Sequence, residues 1–89
     1  MTRCRVHYDG RVQGVGFRAT VCRIAADFEV AGTVRNLDDG RVELVAEGLD
    51  DEVDTFLAAV RSELRRFIRD EHSENLPGGE PFSGFRVAY

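Results

Sequence analysis

With 89 residues, 43% of them hydrophobic and 31% charged, the chain has the length and composition of one small globular domain, which we predict over residues 1–89. The formal net charge of −4 argues against nucleic-acid binding driven by phosphate neutralisation. No apolar run is long enough to span a membrane. We therefore expect a cytoplasmic protein that binds neither nucleic acid nor membranes.

The chain begins with a strand pattern that changes into a helix pattern. Residues 3–9 alternate, with Cys4, Val6 and Tyr8 on one face, which predicts a half-buried strand. From Phe17 the apolar residues recur at helical spacing up to Phe28, which predicts an amphipathic helix. The two cysteines of the chain lack metal-ligand spacing, and we interpret both as packing residues.

The second half repeats this pairing of strands with a helix. Residues 30–37 and 41–47 predict a hairpin, and a second amphipathic helix begins near Asp50. Residues 70–84 contain both prolines and a Gly-Gly pair, so they predict a loop with room for a short irregular strand. The alternation in 85–89 predicts a closing strand.

The order of elements is thus strand, helix, strand, strand, helix, strand. Because every strand has one apolar face, both helices are expected to cover the same side of an antiparallel sheet. This predicts an α+β, ferredoxin-like βαββαβ two-layer sandwich.

A glycine-rich segment joins the first strand to the first helix. Residues 10–18 read Gly-Arg-Val-Gln-Gly-Val-Gly-Phe-Arg, and the helix start carries no Ser, Thr, Asp or Asn cap. Glycines let backbone N–H groups converge on an anion, and a helix N-terminus adds unpaired N–H groups and its positive dipole. Arg18 supplies a planar fork of donors that matches phosphate oxygens. We predict a phosphate site here, with water as the alternative partner of the N–H groups.

Two motifs make the chain resemble the acylphosphatases. Residues 10–18 match the family's glycine loop ending in Gly-Phe-Arg, and residues 32–43 match its second signature, Gly-Thr-Val-Arg-Asn followed by a turn and a strand. Phe85-x-Val87-x-Tyr89 is similar to the family's last strand. The resemblance covers residues 4–67 and 82–89.

The resemblance implies hydrolysis of the carboxyl-phosphate bond of a small acyl phosphate, giving a carboxylate and inorganic phosphate. It implies that Asn36 orients the attacking water and that no metal or cofactor takes part. It also implies that Arg18 and the N–H groups around residues 13–18 bind the phosphoryl oxygens. The predicted phosphate-binding residues are Gln13, Gly14, Val15, Gly16, Phe17 and Arg18.

Several of these residues have simpler structural interpretations. Arg18 could be a solvated charge, and Asn36 could be a turn residue. His7 and His72 are interpreted as solvated because neither has a nucleophile at suggestive spacing. Four aspartates are interpreted as turn or cap residues rather than as a metal cluster, namely Asp38, Asp39, Asp50 and Asp51. Glu43 and Glu47 are predicted to be exposed strand charges.

The sequence also departs from the family pattern at two places. Thr33 stands where an aromatic residue is common, and residues 68–82 lack the usual Gly-Pro turn and valine-rich strand. We expect a monomer, although an irregular sheet edge there could favour pairing with another chain. The main alternative function is a non-catalytic ferredoxin-like module that binds a phosphorylated ligand or regulates a partner. A nucleic-acid-binding sheet ranks last.

Overall fold

The computed structural model describes residues 1–89 as five strands and two helices, with a short 3₁₀ turn at Arg65–Phe67. In chain order these are β1 (Thr2–Gly10), α1 (Phe17–Ala25), β2 (Val30–Asn36), β3 (Val42–Gly48), α2 (Asp50–Leu64), β4 (Ile68–Asn75) and β5 (Phe85–Val87). Neither helix has the length and apolar character needed to cross a membrane.

The five strands form one sheet in the order β4-β1-β3-β2-β5. All neighbours are antiparallel except β2 and β5, which run parallel. The predicted α+β, ferredoxin-like class is confirmed, with the correction that the sheet is mixed rather than wholly antiparallel. The parallel pairing arises because the closing segment joins the sheet beside β2 as a fifth strand.

Residues 70–84 were predicted to form a loop with room for a short irregular strand, but the strand there is longer than predicted and begins at Ile68. Residues 68–75 form β4, which pairs with β1 along most of its length. Its sequence, Ile-Arg-Asp-Glu-His-Ser-Glu-Asn, lacks apolar alternation because no β4 side chain is fully buried. Such an edge strand is held by its backbone ladder, and its charges discourage further strand pairing. The loop proper begins at residue 76.

The core lies between one face of the sheet and the two helices. The predicted inward face of β1 is observed, since Cys4, Val6 and Tyr8 are all buried. Both helices contribute apolar stripes at helical spacing, and Cys22 of α1 packs at the edge of this core. The buried helical residues are Phe17, Val21, Ile24, Ala25, Val53, Phe56, Val60 and Leu64.

The opposite, outer face of the sheet is covered by ion pairs. Glu43 and Glu47, predicted to be exposed, have side chains that are only 13% and 12% exposed, because each meets basic groups on neighbouring strands. His7, predicted to be solvated, places Nε2 3.0 Å from Oε1 of Glu43. Burial acts to raise the pKa of Glu43, but hydrogen bonds from His7 and Arg35 outweigh it and hold that pKa below its ordinary value.

The four aspartates predicted at turn and cap positions lie where the sequence places them. Asp39 accepts a hydrogen bond from the N–H of Arg41 in the β2–β3 turn. Asp50 and Asp51 occupy the first turn of α2, where carboxylates complement the helix dipole. Thr33 pairs with Val45 and Arg86 within the sheet, so the departure from the family pattern falls outside the glycine loop.

Candidate active site

The loop between β1 and α1 has a backbone shape that favours glycine. Gly14 and Gly16 have φ values of 78° and 80°, in the left-handed region that other residues adopt at a cost of about 1–2 kcal/mol. A Cβ atom at either position would meet nothing within 4 Å. The conformation of the backbone, rather than lack of space, therefore requires glycine in this loop.

This loop leaves a run of backbone N–H groups without partners. The first helical bond of α1 runs from the N–H of Thr20 to the carbonyl of Gly16, at 3.0 Å. No N–H of residues 12–19 donates a hydrogen bond within the protein. Gly16, at the N-cap of α1, supplies no side-chain cap. These donors are available to an external acceptor.

The side chain of Gln13 holds the loop in place instead of facing the cleft. Its Nε2 donates to the carbonyl oxygens of Leu37 at 2.8 Å and Arg41 at 2.9 Å, both in the β2–β3 turn. Val15 packs against the edge of the core. Neither side chain lines the cleft described next, so only the backbones of these two predicted phosphate-binding residues could contact a ligand there.

A cleft of about 230 Å³ opens beside the loop. Four of the predicted residues besides Asn36 line it, namely Gly14, Gly16, Phe17 and Arg18. Arg18 comes from the first turn of α1 and Asn36 from the last residue of β2, so two distant parts of the chain meet here. Arg18 and Asn36, to which the family resemblance assigns roles in one reaction, thus line the same cleft.

Arg18 enters the cleft as a cation with no carboxylate partner, because none lies within ion-pairing distance of it. Its Cζ atom lies 5.6 Å from the ring centroid of Tyr89, within the range of a cation–π contact. Phe17, next to it, is buried and its ring centroid lies 5.2 Å from that of Tyr8. This packing fixes the start of α1, and therefore the position of the backbone from which the Arg18 side chain extends.

Asn36 contributes an unpartnered acceptor. Its Oδ1 atom is buried and makes no hydrogen bond within the protein, and it is the one buried side-chain polar atom in that condition. Leaving such an atom unsatisfied costs about 1–3 kcal/mol, so a buried oxygen of this kind calls for a donor from outside the chain.

Few titratable side chains line the cleft. The side chains that line it include no Asp, Glu, His or Cys, and Arg18 and Tyr89 are its titratable members. The structure also holds no group of three or more His, Cys, Asp or Glu side chains placed to bind a metal. The chemistry available to the protein here is hydrogen bonding and positive charge.

Comparison with known proteins places this arrangement in a family. The acylphosphatase family model matches residues 4–87. The chain belongs to the acylphosphatase family. It is 55% identical over 88 residues to the acylphosphatase of Haloarcula marismortui, covering 99% of this chain and 97% of that one. It is 40% identical over 93 aligned positions to the acylphosphatase of Bacillus licheniformis, covering 100% of both.

Solved acylphosphatase structures are similar along the whole chain. The crystal structure of the acylphosphatase from Bacillus subtilis matches with a TM-score of 0.88 and 36% identity, covering 100% of both chains. The predicted family, its ferredoxin-like fold and its hydrolase class are thereby confirmed.

The sequence did not predict that two residues from β5 and the segment after it would line the cleft. Val87 and Tyr89 line the cleft, as do Val12 and Ala19. The alternation of residues 85–89 revealed a strand, but a strand this short carries no signal for the sheet edge it joins. Its parallel pairing with β2, whose last residue is Asn36, brings it to the site.

Proposed function

We propose that the cleft hydrolyses acyl phosphates, with the phosphoryl group held by the glycine loop and Arg18 and the attacking water held by Asn36. One observation carries the proposal. Arg18 with its unpaired guanidinium, Asn36 with its unpartnered amide oxygen, and several loop residues with free N–H groups all line one cleft of about 230 Å³. Cation and N–H donors suit the oxygens of a phosphoryl group.

The donors are suited to the charge that develops during transfer. Phosphoryl transfer proceeds through a loose transition state with negative charge on the equatorial oxygens, so catalysis depends on positioning and charge stabilisation. The planar fork of Arg18 can donate to two oxygens together. The loop N–H groups approach from a fixed backbone and need no reorganisation when charge develops.

Asn36 is suited to hold the water. Its Oδ1 can accept a hydrogen bond from a water molecule, and the amide stays neutral, so it does not repel the anionic substrate as a carboxylate would. Accepting this hydrogen bond directs a lone pair of the water toward phosphorus. Because Oδ1 has no hydrogen-bond partner within the protein, a water bound to it would also satisfy that acceptor.

The proton balance requires no base from the protein. The water oxygen forms a bond to phosphorus while the bond from phosphorus to the carboxylate oxygen breaks, and the bonding electrons leave with the carboxylate. The proton of the water passes to a phosphoryl oxygen of the substrate, giving inorganic phosphate. A carboxylate is a good leaving group, so its departure needs no general acid.

The direct test is phosphate release from a small aryl acyl phosphate, compared with release from the matching aryl phosphate monoester. We expect turnover of the acyl phosphate and little turnover of the monoester, whose leaving group needs protonation. Binding of inorganic phosphate without turnover of either compound would favour the non-catalytic ligand-binding module instead.

The sequence expectations of a single domain over residues 1–89, a monomer in the cytoplasm, and no binding to nucleic acid or membranes stay predictions. Sedimentation of the purified protein tests the monomer. The small cleft and the short loops around it support tolerance of many acyl groups, which a substrate series in the same phosphate-release assay would measure.

A further inference from the structure

The segment 76–84, here called the strap, connects the two edges of the sheet. β4 and β5 lie at opposite edges, so the strap must pass from one side of the sheet to the other. It has no helix or strand of its own. Its position therefore depends on the contacts that it makes with the sheet.

Arg3 contacts the strap at three points. Its backbone carbonyl accepts a hydrogen bond from the N–H of Leu76 at 2.8 Å. Its guanidinium donates to the carbonyl of Glu80 at 2.7 Å, and its Cζ atom lies 4.9 Å from the ring centroid of Phe82. The backbone of Arg3 thus contacts the beginning of the strap, and its side chain contacts the middle and the later part.

Glu47, the cross-strand partner of Arg3 on β3, completes this anchor. Its Oε1 accepts a hydrogen bond from Nε of Arg3 at 2.8 Å, and its Oε2 accepts one from the backbone N–H of Phe82 at 2.9 Å. The side chains of Arg3 and Glu47 are only 16% and 12% exposed. Charge-assisted hydrogen bonds in a shielded place of this kind are stronger than exposed ion pairs.

The strap leads directly into β5 and the cleft. The carbonyl of Gly84 accepts a hydrogen bond from Gly32, and the N–H of Ala88 donates to Val34, both at 2.9 Å. Val87 and Tyr89 then line the cleft, where the fully exposed Tyr89 lies at the open edge with its ring beside Arg18. A strand of three residues at a sheet edge has little stability of its own, so its placement depends on what precedes it.

We propose that Arg3 and Glu47 form a positioning pair for the active site, which anchors the strap and thereby holds Val87 and Tyr89 in the cleft. Gly10 is the last residue of β1 before the glycine loop, and Arg3 lies seven residues before it, about 24 Å along an extended strand. At this distance the pair acts through the strap rather than by touching the substrate. The proposal rests on the function proposed above, since it gives β5 a part in holding the substrate beside Arg18.

The test compares Arg3→Ala with Arg5→Ala. Both arginines lie on the outer face of β1 and pair with a glutamate of a neighbouring strand, but only Arg3 contacts the strap. Amide hydrogen exchange at Ala88 reports the attachment of β5 to β2. We expect exchange there at least tenfold faster in Arg3→Ala and unchanged in Arg5→Ala.

Binding should weaken in parallel. If β5 is displaced, the contact between the Tyr89 ring and Arg18 is lost, and a cation–π contact at an exposed site is worth about 0.5–1 kcal/mol. Arg3→Ala should therefore raise both KM and the Kd for inorganic phosphate about two- to fivefold. The kcat value should change less than twofold, because Arg18 and Asn36 stay in place. Phe82→Ala, which leaves the ion pair intact and removes the ring beside Arg3, should produce a smaller change in the same direction.

A double-mutant cycle with Tyr89→Ala decides whether the effect passes through the cleft residue. We expect Arg3→Ala to add little to KM when Tyr89 is already alanine. The proposal would be overturned if the effects of Arg3→Ala and Tyr89→Ala on KM were multiplicative. It would also be overturned if Arg3→Ala and Arg5→Ala gave the same Ala88 exchange rate and the same KM. If the parent protein released no phosphate from acyl phosphates, the proposed function would fail, while the phosphate Kd and the Ala88 exchange would still decide the role of the strap.

Discussion

The outer face of the sheet and the cleft treat charge in opposite ways. On the outer face Arg3, Arg5 and Arg35 each contact a glutamate. In the cleft Arg18 contacts no carboxylate, and the N–H groups beside it have no acceptor. The outer face satisfies its own charges, whereas the charge and the N–H donors of the cleft are open to an anion from outside. The difference separates charges that support the fold from a charge available for binding and catalysis.

Of the substitutions that test this difference, the largest effect is expected from removing the charge of Arg18. Arg18→Ala should lower kcat/KM for an acyl phosphate roughly 10³-fold, as for other arginines that stabilise a transferring phosphoryl group. Phosphate release by the purified variant measures this. Arg23→Ala is the matched control, because Arg23 lies on the same helix and pairs with Glu63 on α2. Loss of activity in both variants, or in neither, would remove Arg18 from the mechanism.

Asn36 should show the next largest effect. Asn36→Ala removes the acceptor proposed to orient water, and we expect kcat to fall roughly 10²–10³-fold, as when a transition-state hydrogen-bond group is lost. The Kd for inorganic phosphate should change little, since Arg18 and the loop remain. Asn36→Asp keeps the acceptor and adds a negative charge, so it should weaken phosphate binding as well. An Asn36→Ala variant with normal kcat would show that the water is held elsewhere.

Changes to the charges of the outer face should alter the stability of the fold at acid pH rather than turnover. The pKa of Glu43 in the folded protein lies below its ordinary value of 4.5. The Glu43 carboxylate therefore stabilises the fold fully above pH 4.5, and this stabilisation is lost as the pH falls through the lower pKa of the folded state. Urea unfolding between pH 6 and about pH 3 measures this loss. Glu43→Gln should reduce the dependence on pH. An unchanged slope in that variant would show that Glu43 does not stabilise the fold through its charge.

Much of the fold was predictable because local patterns and tertiary packing agree. The parity of Cys4, Val6 and Tyr8 predicted the buried face of β1, and the helical stripes predicted the layer that covers it. The two motifs also predicted that Arg18 and Asn36 belong together, and both line one cleft. Their catalytic roles stay predictions.

Other features depend on contacts that leave no local pattern. The full extent of β4 was not predicted, because its backbone pairs with β1 while its side chains bury little apolar surface. Glu43 and Glu47 were predicted to be exposed because alternation assigns them to the outer face, but it does not reveal the partners on neighbouring strands or the strap. The contribution of Val87 and Tyr89 to the cleft likewise depends on where β5 joins the sheet.

The most direct test of the account is a titration of the labelled protein with inorganic phosphate, followed by NMR of its backbone and side-chain amides. The account predicts saturable shifts of the backbone N–H groups of Gly14, Gly16 and Arg18 and of the Asn36 side-chain amide, all with one Kd, and their loss in Arg18→Ala. Shifts confined to other surfaces, or shifts at the loop that persist without Arg18, would contradict the claim that these groups form one phosphate site.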